Sequence, residues 1–349
     1  MAADLLSSDP HGEKSPAARM AKPGTLVIKN GVLALLVAQM VVLILLIRSS
    51  RTSSKLDDMY FASTAVFLME CTKLIICLGV VWWREGQKMG KTWEFLICNI
   101  VNQPTEILKL SVPSILYVIQ NNLLYIALTN LDSATYQVCY QVKILTTALF
   151  SVAMLGRRLS LQKWSALGVL TIGVMLAQLS NVSDSTSSNP KTEQNKAKGL
   201  VAVFLAACTS GFAGVYFEKI LKGGKATLWV RNIQMGIPSI FVAILGVYAK
   251  DGANIYAQGF FFGYNIKVIL VIIIQGIGGL IVAVVVKYAD NIVKVFAASF
   301  SIVVGSILSI FFFSFKPNLT FVSGAVCVCL SIFLYSRPER KSALLPTSR

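Results

Sequence analysis

Residues 133–151 read Ser-Ala-Thr-Tyr-Gln-Val-Cys-Tyr-Gln-Val-Lys-Ile-Leu-Thr-Thr-Ala-Leu-Phe-Ser, a lysine and several polar groups set inside an otherwise membrane-grade helix. At about 3.6 residues per turn, Tyr136, Tyr140, Lys143 and Thr147 fall at i, i+4, i+7 and i+11 and share one face, with Gln137 and Gln141 in a neighbouring stripe. If the apolar window runs from 134 to 155, Lys143 lies roughly 3 Å from its middle at about 1.5 Å per residue, too deep to reach water easily at either end. An ammonium at that depth costs about 2.5–3.5 kcal/mol unless an anion meets it. The stretch therefore sets both an environment, the bilayer, and a requirement, a negative partner.

The rest of the chain agrees on the environment. Its 349 residues are 55% hydrophobic and only 14% charged, with a mean hydropathy of +0.68, which places it among membrane proteins. Ten apolar spans are expected, at 26–47, 60–83, 111–130, 134–156, 161–180, 199–221, 229–249, 266–287, 290–314 and 318–336. The first is preceded by a polar stretch and is too long for a cleaved leader, so it reads as a signal-anchor. The net charge of +16 would suggest nucleic acid in a soluble protein; here the basic residues lie mostly in short connections between spans, so no nucleic-acid partner is expected and the bilayer takes that place. The seven cysteines fall almost entirely within apolar windows and read as packing residues, with no metal site and no cofactor expected.

The longest polar connection within the membrane region, 181–198, is a linker by composition and divides the spans five and five. The expected organisation is a tail (1–25), a first five-helix repeat (26–180), a luminal linker (181–198), a second five-helix repeat (199–336) and a second tail (337–349). Because each half holds an odd number of spans, the second half starts on the opposite side from the first, the condition for an inverted-topology repeat. The expected fold class is thus an all-α polytopic membrane protein, ten transmembrane helices in two inverted repeats. With both termini in the cytosol, that side carries 20 of the 32 lysines and arginines and the opposite side 9, while Lys73, Lys143 and Lys294 lie in spans. The sequons at Asn181 and Asn318 both fall on the non-cytosolic side in this orientation.

Lys143 belongs to the fourth span of the first half and Lys294 to the fourth of the second. Two repeat-equivalent lysines held toward a shared cavity suit a ligand with about two negative charges, such as a diphosphate diester or a nucleoside monophosphate. The alternative is neutralisation by protein carboxylates, Glu70 and Glu218 being nearest in depth. Glu70 and Lys73, at i and i+3, read as an intrahelical pair. Tyr117, Gln120, Asn121, Asn122 and Tyr125 give the third span a polar side whose amides need partners in protein or ligand. Gln275-Gly-Ile-Gly-Gly in the eighth span lets a backbone approach either a neighbouring helix or a ligand. No Asp-x-Asp motif is present, the lone His11 sits in a polar tail, and an enzyme is not expected.

Several long segments carry a resemblance: Tyr117-Val-Ile-Gln-Asn-Asn-Leu-Leu-Tyr, Tyr136-Gln-Val-Cys-Tyr-Gln-Val-Lys-Ile-Leu-Thr-Thr-Ala, Gly211-Phe-Ala-Gly-Val-Tyr-Phe-Glu-Lys-Ile-Leu-Lys, Trp229-Val-Arg-Asn-Ile-Gln, and Val284-Val-Val-Lys-Tyr-Ala-Asp-Asn-Ile-Val-Lys. From the first span to the last, the chain resembles Golgi nucleotide-sugar transporters of the drug/metabolite transporter superfamily. That resemblance implies ten helices, an inverted repeat, a multi-pass Golgi location and exchange of a cytosolic nucleotide sugar for a luminal nucleoside monophosphate. It also implies a substrate site containing Tyr117, Asn121, Tyr136, Tyr140 and Lys143 from one half and Asn232, Gly278, Gly279 and Lys294 from the other. Lys143-Ile-Leu-Thr-Thr-Ala-Leu-Phe and Gly236 look like the UDP-galactose and UDP-N-acetylglucosamine branch, exchanging for UMP. The alternatives are a CMP-sialic acid/CMP exchanger and a carrier of another phosphorylated metabolite. Cys139, where the family usually has threonine, and Val295, where it usually has glycine, depart from the pattern. A homodimer, or a complex with other Golgi membrane proteins, is left open.

Overall fold

The computed structural model describes residues 23–53, 60–182, 195–224, 226–313 and 317–337. Most of both tails and most of the linker 181–198 lie outside the described residues. Among the described residues there are helices and no strand: α1 (Pro23–Ser53), α2 (Ala62–Arg84), α3 (Met89–Leu96) running into a π-helical turn (Ile97–Val101), α4 (Pro104–Asn130), α5 (Ser133–Tyr140), α6 (Lys143–Leu155), α7 (Leu161–Val182), α8 (Lys196–Gly223), α9 (Leu228–Gln258), α10 (Ile266–Tyr288), α11 (Asn291–Phe313) and α12 (Leu319–Ser336). Within the described residues nine helical stretches are long and apolar enough to cross a membrane, α5 and α6 counting together as one. The fifth expected span folds as the 22-residue helix α7 but is not among the nine.

Helix starts follow their capping chemistry. Asp132 accepts the Thr135 N–H at 2.9 Å, Asn195 the Lys198 N–H at 3.0 Å, Asn265 the Val268 N–H at 3.0 Å and Asn318 the Phe321 N–H at 2.9 Å. Two bonds from Thr135, backbone and hydroxyl, hold the Asp132 carboxyl below the usual carboxylate range.

The principal pairings are α7 with α12, α4 with α8, α2 with α9, α1 with α10, α6 with α8, α4 with α9, α1 with α11 and α2 with α10. Lipid offers no hydrophobic drive between helices, so contact depends on small residues and polar bonds. A Cβ on Gly324 would lie 2.6 Å from the Ala177 nitrogen and 2.7 Å from the Gly173 oxygen, so only glycine permits the α7–α12 approach. Thr146 on α6 donates to the Ala207 carbonyl of α8 at 2.8 Å, and Ser114 on α4 meets Ser239 on α9 at 3.0 Å. Large apolar side chains such as Leu149, Phe241 and Phe311 remain on the outer surface, as lipid contact requires.

The fourth expected span differs in its continuity. It is not one helix but α5 and α6 joined at Gln141-Val142, where the N–H groups of Gln141, Val142 and Ile144 bond three residues back, to Val138, Cys139 and Gln141. This tight turn stops the regular ladder and makes Lys143 the first residue of α6.

Gly324→Val is expected to force α7 and α12 apart and destabilise the protein by about 1–3 kcal/mol, the ordinary cost of overpacking. Thermal melting of the purified chain in detergent measures it; an unchanged midpoint would show that the approach is not tight.

Candidate functional site

Lys143 sits at the α5–α6 break with its ammonium 4.1 Å above the Tyr140 ring centre. Tyr136 stacks on Tyr140 with centroids 6.0 Å apart and planes 9° apart, so the face expected at i, i+4 and i+7 survives the break. The Gln120 amide of α4 donates to the Tyr140 hydroxyl at 2.8 Å, which also bonds Ser210 of α8. The carbonyl of Lys143 is taken by the hydroxyls of Thr147, at 2.7 Å, and Thr146, at 3.2 Å. Those bonds leave the ammonium itself with no carboxylate partner among the described residues. A cation over a ring gains about 0.5–2 kcal/mol, less than the roughly 2.5–3.5 kcal/mol cost of the buried ammonium.

Lys294 lies in the first turns of α11, within electrostatic reach of both Lys143 and Glu218. It too has no carboxylate partner among the described residues.

The carboxylates nearest in depth are committed elsewhere. Glu70 pairs with Lys73 at 2.7 Å within α2, as the i, i+3 spacing leads one to expect. Glu218 is fully buried and takes three donors: Arg157 at 2.5 Å, Lys222 at 2.8 Å and the Asn291 N–H at 3.0 Å. Arg157 also reaches Asp290 at 2.9 Å, and Lys222 donates to the Ala289 carbonyl at 2.6 Å. This network joins the segment after α6 to α8 and to the α10–α11 junction, tying the two halves of the chain together at one end of the bundle. Arg231, counted with the connections by sequence, is a buried residue of α9 and pairs with Glu106 of α4.

The remaining site residues are placed as follows. Tyr117 of α4 is 39% exposed and within electrostatic reach of Tyr140 and Glu70. Asn121, one turn on, is exposed. Asn232 is buried in α9 and donates its amide to the Leu228 carbonyl of its own helix at 2.9 Å. The small residues of α10 meet side chains of the first half: a Cβ on Gly278 would collide with the Gln39 amide of α1, and one on Gly279 would stand 3.0 Å from the Lys73 chain of α2. Sequence reading missed Gln39 altogether, since a lone glutamine in an apolar run carries no pattern; its amide donates to the Ile274 carbonyl at 3.2 Å. Of the two departures from the family pattern, Cys139 packs beside Ala127 and Val203, and Val295 packs against the cluster of Ile144 and Ala148 beside Lys143.

The family model described as nucleotide-sugar transporter matches residues 24–336. The UDP-N-acetylglucosamine transporter of Rattus norvegicus is 45% identical over 304 residues, covering 87% of this chain and 93% of the relative. The UDP-galactose translocator of Mus musculus is 45% identical over 308 residues, covering 88% and 78%. The UDP-galactose transporter of Schizosaccharomyces pombe is 44% identical over 312 residues, covering 88% of each. One solved crystal structure, 10% identical, superposes with a TM-score of 0.61 over 90% of this chain and 98% of that one, a likeness of fold alone. A match over nearly the whole helical region, with relatives this similar, establishes that the chain is a member of the nucleotide-sugar transporter family.

Proposed function

We propose that the protein is an antiporter of the Golgi membrane that brings a UDP-sugar, UDP-galactose or UDP-N-acetylglucosamine, into the lumen and returns UMP to the cytosol. The observation that carries this reading is the pair of membrane-depth lysines, Lys143 and Lys294, whose candidate carboxylates Glu70 and Glu218 are held by other cations. A diphosphate diester supplies two negative charges, and a nucleoside monophosphate about 1.5 to 2, so either guest neutralises both amines. The names of the relatives supply the uridine sugars.

In this reading Lys143 and Lys294 hold the phosphates, and Tyr117, Asn121, Tyr136 and Tyr140 hold the nucleoside by stacking and hydrogen bonding. Gly278 and Gly279 let the Gln39 and Lys73 side chains close against α10, where those two groups would meet the sugar, and Asn232 orders α9 from within. Ten crossings in two inverted repeats, 26–180 and 199–336, supply the two rocking bodies. The helix pairings support this organisation, because exchanging each span for its counterpart five along turns α4–α8 into α1–α10, α6–α8 into α1–α11 and α4–α9 into α2–α10, while α7–α12 and α2–α9 map onto themselves. Both termini face the cytosol, which puts the Arg157–Glu218–Lys222–Asp290 network at the cytosolic mouth as a closure that must part for loading. An empty carrier leaves two cations without counter-ions at membrane depth, so the occupied form crosses between states more readily and exchange stays coupled.

Lys143→Ala and Lys294→Ala should each cost about 2–5 kcal/mol of ligand binding, at least about 20-fold. In proteoliposomes preloaded with UMP, each variant should lose uptake of labelled UDP-sugar while melting like the parent; near-normal exchange by either would contradict its assigned role.

Arg157→Gln should loosen the cytosolic closure. Hydrogen–deuterium exchange of the segment 286–294, whose Asn291 N–H is donated to Glu218, is expected to accelerate and exchange activity to fall. Unaltered protection there would mean that the network does not hold the mouth shut.

A further inference from the structure

A groove of about 290 Å³ lies between α1, α2, α9 and α10, and neither Lys143 nor Lys294 lines it. Its rim carries two cations from different helices: Arg84, the last residue of α2, and Lys287, in the last turn of α10. Among the described residues neither is paired with a carboxylate. Glu85, next to Arg84 in the chain, does not line the groove, and none of the described residues that do is acidic. The Lys287 ammonium lies 5.9 Å from the Tyr288 ring centre at the same rim. Below the rim the wall is apolar, with Val32 and Leu35 of α1, Ile76 of α2, and Ile277, Leu280 and Ile281 of α10. The opposite face of α10, with Ala283 and Val286, packs into the bundle against Phe217 and Leu221 of α8, while Leu35 and Ile277 are exposed, so the groove opens on the outer surface.

Four helix ends agree on the depth of this groove. Arg84 follows Trp82-Trp83, where the apolar run of α2 stops, Lys287 follows Val284-Val285-Val286 at the close of the run of α10, and Leu228 opens α9. Basic residues and aromatic rings at the ends of such runs stand at headgroup level. The run of α1 begins at Leu26, so Val32 and Leu35 lie about 9 and 13 Å along it, and Leu280 and Ile277 lie about 10 and 15 Å before Lys287 on α10. The wall therefore stands in hydrocarbon and the two cations at its edge. A small soluble anion would use the charges and leave that wall bare; an amphiphile with an anionic head uses both. We infer that this groove seats one anionic phospholipid, its phosphate between Arg84 and Lys287 and an acyl chain along Leu35, Ile281 and Ile277. Helices α1 and α2 precede the linker 181–198 and α9 and α10 follow it, so the bound lipid would join elements from both sides of that linker. Neither substrate lysine takes part, so the lipid seat is independent of what the carrier transports.

The test is the melting of the purified full-length protein in neutral detergent, with phosphatidylserine, phosphatidylcholine or inorganic phosphate added separately. Phosphatidylserine is expected to raise the midpoint by several degrees more than phosphatidylcholine, and phosphate to leave it unmoved. The double variant R84Q/K287Q should lose the preference for phosphatidylserine while keeping its midpoint in phosphatidylcholine. A second variant, Leu35→Trp, fills the apolar wall from its exposed side and leaves both charges in place; it should lose the preference as well, and it serves alone if the double variant does not fold. Lys88 and Lys91 are exposed and lie outside the groove, so K88Q/K91Q removes equal charge nearby and should keep the preference. Equal shifts with the two lipids would overturn the proposal, as would a full response to phosphate, a preference that survives in Leu35→Trp, or its loss in K88Q/K91Q.

Discussion

A positive charge cannot rest inside hydrocarbon without an answering negative one, and the distribution of carboxylates decides where that answer must come from. Glu70 goes to Lys73, Glu106 to Arg231, and Glu218 to Arg157 and Lys222. Among the described residues Lys143 has no carboxylate and lies over the face of Tyr140, which offsets about 0.5–2 kcal/mol. Lys294 stands within its electrostatic reach and adds a second cation to the same region. Among the described residues the interior thus holds two lysines that no carboxylate neutralises.

The same economy of charge shapes the rest of the fold. Where helices of the two halves meet away from the cleft, charges are paired and polar atoms bonded, as around Glu218, or the contact is made by glycine, as where Gly324 meets Gly173 and Ala177. At the other end of α2, Tyr60 packs edge-on against Tyr264 with centroids 6.0 Å apart, and Thr64 meets the Tyr264 hydroxyl at 2.8 Å. The bundle is therefore fastened by different means at different heights: an ion network across α8 and the α10–α11 junction, and aromatic rings between α2 and the segment before α10.

Much of this was legible in the residues because membrane physics leaves few choices. Apolar length located the helices, and the i, i+4, i+7 spacing placed Tyr136, Tyr140 and Lys143 on one face correctly. The i, i+3 spacing identified the Glu70–Lys73 pair. The break at Gln141-Val142 was not legible, because neither residue is a helix breaker and the turn is held by bonds three residues back that spacing does not encode. Nor was the burial of Arg231, whose position beside a predicted connection resembled a topology charge until Glu106 was brought to it by α4. The glycines of α10 pointed to a close approach without saying by what; Gln39 and Lys73 come from helices far away in sequence, and only the fold joins them. Val295, a departure from the family pattern, packs against the cluster that contains Ile144, the residue after Lys143.

The most direct test of the central claim is a cryo-electron microscopy structure of the protein with UMP or a UDP-sugar bound. The account predicts the phosphate density between the Lys143 and Lys294 amines, each within hydrogen-bond distance of a phosphate oxygen. Phosphate bound elsewhere, with both amines turned to carboxylates of their own chain, would contradict it.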